Sequence, residues 1–219
     1  SSHPIVLQKL AALRDVRTRP PEFRALVRSL ALLMGQEATA DLPTRDVTIQ
    51  TPLGPSACKA LADVVGIVPV LRAGLGMSEG LIELLPEAEI WHIGLFRDET
   101  TLRPTEYYNK FPTTPRLTIA LVVDPMLATG GSAVRTGEIL KAAGVQRLKL
   151  VSLIAAPEGI ARMREAMPDV PIHVGAVDER LTEVGFIYPG LGDAGDRQFA
   201  TSPVPCASPR HPSGEPRES

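Results

Sequence analysis

Cysteine, tryptophan, asparagine and net charge are all scarce in this chain of 219 residues. Cys58 and Cys206 are the only cysteines; two thiols so far apart suit a reducing compartment better than a disulfide scaffold, so a cytoplasmic location is expected. No apolar run approaches the ~20 residues of a membrane-spanning helix, so no membrane is expected as a partner. The opening residues, Ser1-Ser2-His3-Pro4, show neither the basic stretch nor the apolar stretch of a secretory leader. With 23 Lys and Arg against 25 Asp and Glu, the net charge of −2 offers no basic field for nucleic acid. The four histidines, His3, His92, His173 and His211, lack paired ligand spacing, which argues against a zinc site. Asn109 is the sole asparagine and arginine outnumbers lysine, a bias that a hot habitat and a GC-rich genome produce alike. What is present is a globular composition: 44% apolar residues and a mean hydropathy of +0.06, over a length that buries a sizeable core.

Helical spacing covers Ile5 to Asp15 and Pro21 to Ala38, where Phe23, Leu26, Val27, Leu30 and Leu33 share a face. Such a stripe serves a core or a subunit interface. A short strand is expected at Val47–Ile49. Continuous apolar strands then alternate with helices: strands at Ile67–Leu71, Ile90–Phe96, Ile119–Val123, Leu148–Ile154 and Ile172–Val177, helices near Met77–Leu85, Ser132–Ala143 and Pro157–Met167. Alternation of this kind predicts an α/β fold with a mostly parallel sheet covered on both faces. Residues Arg97 to Pro115 are polar, aromatic and proline-bearing, and read as a long excursion. Beyond Phe199 the chain turns Pro-, Ser- and Arg-rich, the composition of a flexible tail.

The most informative segment runs from Ile119 to Ser132. An apolar strand ends in a carboxylate, Asp124, and leads through Pro125-Met126-Leu127 to a turn of small residues, Ala128-Thr129-Gly130-Gly131-Ser132, that opens a helix. Glycines let successive N–H groups point into one concavity, and the helix N-terminus behind them adds partial positive charge. The result is a cup for a phosphate monoester, with Asp124 placed to accept hydrogen bonds from ribose hydroxyls. A generic strand–turn–helix remains the alternative.

Parallel sheets bind ligands at the carboxyl ends of their strands, and three further segments lie there or follow. Arg72-Ala73-Gly74 follows one strand: a planar guanidinium and an unhindered backbone suit a diphosphate. Taken alone, Arg72 reads first as a structural arginine closing a strand. Arg97 roots the polar excursion, which includes Asp98, Glu99, Thr100 and Arg103; a site handling a water-sensitive cationic sugar needs such a flap. Near the end, Gly190, Gly192 and Gly195 satisfy GxGxxG, but no βαβ unit can follow so late, and the dinucleotide reading fails. A rigid loop offering main-chain groups to a flat base, with Ile187 and Pro189 as walls, fits Ile187 to Ala194 better.

The run Asp124 to Ser132 resembles the PRPP-binding loop of the type I phosphoribosyltransferases, and its single acid, followed by Pro125 where most of that superfamily carry a second, is similar to the uracil-specific branch. The resemblance runs in order from His3-Pro4 to Phe199. It implies a parallel sheet flanked by helices, with a small hood or flap near 97–115, an N-terminal helical arm, a base-binding loop near 185–196 and a domain spanning 1–201 before the 202–219 tail. It implies formation of UMP and diphosphate from uracil and PRPP, with Arg72, Arg97, Asp124 and Asp193 as the catalytic set. PRPP would lie on Arg72, Ala73, Gly74, Arg97, Asp193 and every residue of the cup: Asp124, Pro125, Met126, Leu127, Ala128, Thr129, Gly130, Gly131 and Ser132. Uracil would lie on Ile187, Gly192, Asp193 and Ala194. Mg²⁺ is expected on PRPP oxygens and water rather than on protein ligands. A homodimer or higher homo-oligomer and activation by GTP, known in some relatives, complete the implied properties. Thr100 stands where relatives usually have Glu, and Phe186 and Tyr188 depart slightly from the usual pair beside the base. The rival readings are a pyrimidine-operon RNA-binding regulator with residual transferase activity, a transferase for another base, and a nucleotide-sensing module.

Overall fold

The computed structural model describes residues 1–97, 104–112 and 115–201. Two helices form an N-terminal arm, α1 (Pro4–Arg14) and α2 (Pro20–Thr39). Each begins on proline, whose fixed φ and missing donor suit a first turn, and His3 Nδ1 accepts the Ile5 N–H at 3.2 Å. α2 buries Phe23, Val27, Leu30, Ala31, Met34 and Ala38, the three-and-four spacing of a single apolar stripe.

The strands β1 (Thr44–Thr51) and β2 (Gly54–Leu61) pair antiparallel, from Thr44 opposite Leu61 to Thr51 opposite Gly54, as a separate two-stranded sheet. Only Val47–Ile49 was legible as strand in the sequence. The physical reason is that no residue of either strand is fully buried, so no apolar alternation marks them.

The main sheet is built from β3 (Val65–Leu71), β4 (Glu89–Ile90), β5 (Ile93–Arg97), β6 (Pro104–Asn109), β7 (Ile119–Val123), β8 (Met126–Leu127), β9 (Arg147–Ala155) and β10 (Ile172–Val177). Its order is β10-β9-β7-β3-β5-β6, parallel throughout except where β6 runs antiparallel to β5. Two sequence expectations need correction here. The run Ile90–Phe96 is not one strand: β4 and β5 meet β3 at separate places, and Trp91 between them donates its N–H to the Ile67 carbonyl at 3.0 Å. The excursion after Arg97 is not irregular throughout, because β6 lies within it. Its exposed Tyr107 and Tyr108 give no core pattern; what admits β6 is Gly94 on β5, where an added Cβ would stand 2.6 Å from the Tyr107 ring.

Helices α3 (Leu75–Leu84), α4 (Gly131–Ala142) and α5 (Pro157–Ala166) join the strands. Alternate side chains of β7 feed two cores. Ile119, Leu121 and Val123 join the arm and α3, whereas Ala120 and Val122 face α4 and α5. After β10 come a small antiparallel pair, β11 (Arg180–Leu181) and β12 (Ile187–Tyr188), and the short α6 (Ala194–Phe199). Among the described residues no helix is long and apolar enough to cross a membrane. The tail 202–219 and the flap residues 98–103, 113 and 114 lie outside the described residues.

Candidate active site

The carboxyl ends of β3 and β7 bring the first two segments together. Asp124 leaves β7, its N–H donating to Val151 O at 3.3 Å, and its Oδ1 accepts the Met126 N–H at 3.2 Å. Pro125 is buried and anchors the loop to β9, its carbonyl accepting from Leu153 and Ile154, both at 3.1 Å. Gly130 then takes a left-handed φ of 76° as the N-cap of α4, and a Cβ there would meet Gly159 O of α5 at 2.9 Å. The turn closes around a cavity of about 70 Å³ lined by Asp124, Met126 through Ala133, Leu150 and Ser152. The amides of Thr129, Gly130, Gly131 and Ser132 have no partner among the described residues. Open donors at the start of a twelve-residue helix make an anion site. Pro125 is the one member of the expected PRPP set between Asp124 and Ser132 that does not line the cavity.

Asp124 carries the site's electrostatic signature. Burial above all, with a smaller push from the charge of Asp193 and against the partial relief of the Met126 N–H, raises its pKa to about 7. The side chain keeps some solvent contact at the cavity mouth, so protein rather than water surrounds most of the carboxylate.

The Leu71–Arg72 peptide is cis. Gly74 is required by close approach: a Cβ would lie 2.5 Å from Val123 O and 2.7 Å from Val70 N. Arg72 stands exposed, with Nη2 3.2 Å from Asp196 Oδ1 and Nη1 3.4 Å from Thr201 Oγ1. Gln198, fully buried, donates to the Ala73 carbonyl at 2.9 Å. The segment Arg72-Ala73-Gly74 is therefore held between the end of β7 and α6.

The fourth segment arrives from the other side. Ile187 is buried in β12 and the Tyr188–Pro189 peptide is cis. Gly190 and Gly192 take left-handed φ values of 63° and 79°. Asp193 caps α6 by accepting the Asp196 N–H at 2.8 Å through Oδ1. The amides of Gly192, Asp193 and Ala194 have no partner among the described residues. Arg97 ends β5, but its side chain lies outside the described residues, as do Asp98, Glu99, Thr100 and Arg103.

Several functional neighbours escaped sequence reading. Asp196, Gln198 and Thr201 reach Arg72-Ala73 across more than a hundred residues, and no spacing rule spans that distance. Ser152 had a faint signal, a hydroxyl inside the apolar strand β9. It is fully buried, lines the cup, and its Oγ lacks a partner among the described residues. Among these residues no cluster of three or more His, Cys, Asp or Glu is placed to hold a metal ion.

A parallel sheet of this order, with an anion cup and an acid at one strand's exit and an arginine loop at the next, is the architecture of the type I phosphoribosyltransferases. The comparisons narrow that class. A sequence model of the uracil phosphoribosyltransferase family matches residues 1–201. The chain is 51% identical over 201 residues to the uracil phosphoribosyltransferase of Roseiflexus sp. (strain RS-1), covering 92% of this chain and 97% of that protein. It is 52% identical over 200 residues to the uracil phosphoribosyltransferase of Symbiobacterium thermophilum, covering 91% and 96%. The solved structure of the AQ2163 protein from Aquifex aeolicus superposes with a TM-score of 0.86 at 38% identity, over 92% of this chain and 97% of that one. The chain belongs to the uracil phosphoribosyltransferase family.

Proposed function

We infer that this chain transfers the phosphoribosyl group of PRPP to uracil, releasing UMP and diphosphate, with the donor seated in the Asp124–Ser132 cup and uracil on the loop from Ile187 to Ala194. The observation that carries this assignment is geometric: α6, capped by Asp193 of the expected base loop, reaches the Arg72 loop through Asp196 at 3.2 Å and Gln198 at 2.9 Å, and the charge of Asp193 is felt by Asp124 at the lip of the cup. Two segments separated in sequence by most of two βα units therefore face one site.

The cup amides and the α4 N-terminus hold the 5-phosphate, while Asp124 accepts from ribose hydroxyls. Arg72 is positioned to receive the diphosphate by exchanging its Asp196 and Thr201 partners for phosphate oxygens, a stronger bidentate match. Uracil N1 forms its bond to C1 of the ribose as the C1–O bond to diphosphate breaks, and the N1 proton passes to water. The open amides of Gly192, Asp193 and Ala194 complement carbonyl oxygens on the base. Alignment and charge stabilisation supply the acceleration without a strong base. One oxygen of Asp193 is committed to the α6 cap, which leaves the other for a water or the base. Mg²⁺ fits this donor set as a companion of the substrate. A raised carboxylate facing a second one calls for positive charge, and magnesium prefers phosphate oxygens and water. Asp124 and Asp193 would face such an ion, which would supply charge neutralisation for the diphosphate.

A homo-oligomer is supported by the β1–β2 hairpin, which stands off the main sheet and exposes Ile49, Leu61 and a fully exposed Leu53. The deciding assay follows UMP formation from labelled uracil, with and without PRPP and Mg²⁺, with cytosine and hypoxanthine as competitors. UMP should form only with PRPP and Mg²⁺ present, and hypoxanthine should not compete; purine nucleotide formation at a comparable rate would reassign the base. Adding GTP to the same reaction tests whether it activates this chain.

A further inference from the structure

Gly190 opens the loop that carries the base-recognising amides, and both its main-chain polar groups are held by side chains from outside that loop. Its N–H donates to Asp178 Oδ2 at 2.8 Å, and its carbonyl accepts from Arg14 Nη1 at 2.8 Å. The two side chains also grip each other as a fork, Nη1 to Oδ2 at 2.7 Å and Nη2 to Oδ1 at 2.5 Å. Asp178 follows β10 with its side chain 4% exposed, and Arg14 is the last residue of α1. Gly190 itself admits no substitute: besides its left-handed φ, a Cβ would stand 2.1 Å from Ile187 O. A second arginine crosses in the opposite direction. Arg197 of α6 donates to Leu13 O at 2.8 Å, to Asp15 O at 2.6 Å and to Leu191 O at 2.9 Å.

These grips stop at Leu191. The next three amides, Gly192 to Ala194, are the ones left open. A buried carboxylate–guanidinium pair says little about stability, because desolvation offsets its attraction. Its yield is orientation, since a planar fork bound to a carboxylate fixes both partners and whatever else they bind. Here the additional ligand is the peptide entering the base loop.

We propose that Arg14 and Asp178 are positioning residues for uracil: they touch no substrate, and by clamping Gly190 they set the angle at which the Gly192–Ala194 amides meet the base. The N-terminal arm thereby becomes part of the base site. The proposal rests on the reading that this loop holds uracil.

Arg14→Lys keeps the charge and loses the fork; Asp178→Asn keeps the size and loses the charge. Either variant is expected to raise KM for uracil roughly 10- to 100-fold, as small misplacements of binding groups do, while KM for PRPP stays within about twofold. Arg14→Lys is the milder change and carries the test by itself should Asp178→Asn fail to fold. Leu10→Ala trims a buried side chain one turn earlier in the same helix, beside Gly175 of β10; it should lower Tm and leave KM for uracil unchanged. An unmoved uracil KM in folded clamp variants overturns the proposal, and so does an equal rise in Leu10→Ala, which would mean general loosening of the arm. Gly192→Val separates this proposal from the reading beneath it. If it raises uracil KM while the clamp variants do not, the loop binds uracil without their help. If all are silent, the base-site assignment falls as well.

Discussion

Asp124 combines burial, a backbone hydrogen bond and a like-charged neighbour, and these leave its pKa near 7 in the folded chain against an ordinary value of 3.8. The sign of the consequence follows from proton counting. Between pH ~4 and ~7 the folded chain retains a proton that the unfolded chain has released, so stability falls as pH rises, by at most roughly 4 kcal/mol across that window. Below it the contribution is complete; above it none remains. Asp124→Asn should flatten this slope when Tm is followed against pH. With Asp124 in its proposed ribose-binding role, activity should run the other way, because a carboxylate accepts from hydroxyls best when ionised. The kcat/KM for PRPP should therefore rise through an inflection near pH 7 that the Asn variant lacks. Asp124→Ala should lower kcat/KM about 100-fold or more, the scale of losing one well-placed polar contact at the reacting centre, with Tm unchanged or raised at pH 8; a near-normal rate would remove Asp124 from the ribose site. Asp124 and Gly130 were legible in the sequence because their chemistry is local. Asp178 and Arg14 were not, since the residues that give them meaning lie 164 positions apart.

At the scale of elements, the buried strands β3, β7 and β9 announced themselves by apolar runs, the partly buried β10 by a weaker one interrupted by His173, and α2 by its stripe. The elements that were missed have little buried face: the β1–β2 hairpin, β6 and the β11–β12 pair; β4 and β5 were merged instead, because the apolar run continues through the buried Trp91 between them. Helix contacts depend on small residues whose purpose appears only in the packed structure. A Cβ on Gly80 of α3 would stand 2.2 Å from Arg28 O, fixed backbone of α2, whereas one on Gly35 of α2 would meet the far end of the Leu81 side chain at 2.2 Å. Backbone cannot step aside and a side-chain tip can. Gly80→Ala should therefore cost about 3 kcal/mol in urea unfolding and Gly35→Ala about 1 kcal/mol. Equal losses would show that α2 and α3 slide freely against each other.

For the molecule as a whole, the strand order decides which loops meet. β7 lies between β3 and β9, so the Asp124 cup and the Arg72 loop become neighbours although some fifty residues separate them in the chain. α6 folds back to hold Arg72 and Ala73 and places Asp193 within electrostatic reach of Asp124. The same arrangement leaves the β1–β2 hairpin uncovered. Exposed apolar residues gathered on one projecting element suit a second copy of the chain. Sedimentation should show an oligomer for the native protein and a shift towards monomer for Leu53→Asp. A native chain that sediments as a monomer would dismiss that partner.

The sequence by itself determined the α/β class, the central strands β3, β7 and β9 and the chemical character of the cup, because apolar periodicity and a glycine turn between strand and helix act over a few residues. Family membership was also legible there, since its motifs are contiguous. Only the tertiary structure decided the strand order, the pairing of Arg72 with α6, the raised pKa of Asp124 and the clamp on Gly190. Each of these depends on groups brought together across the fold, where burial and long-range contacts, rather than local propensity, set the energies.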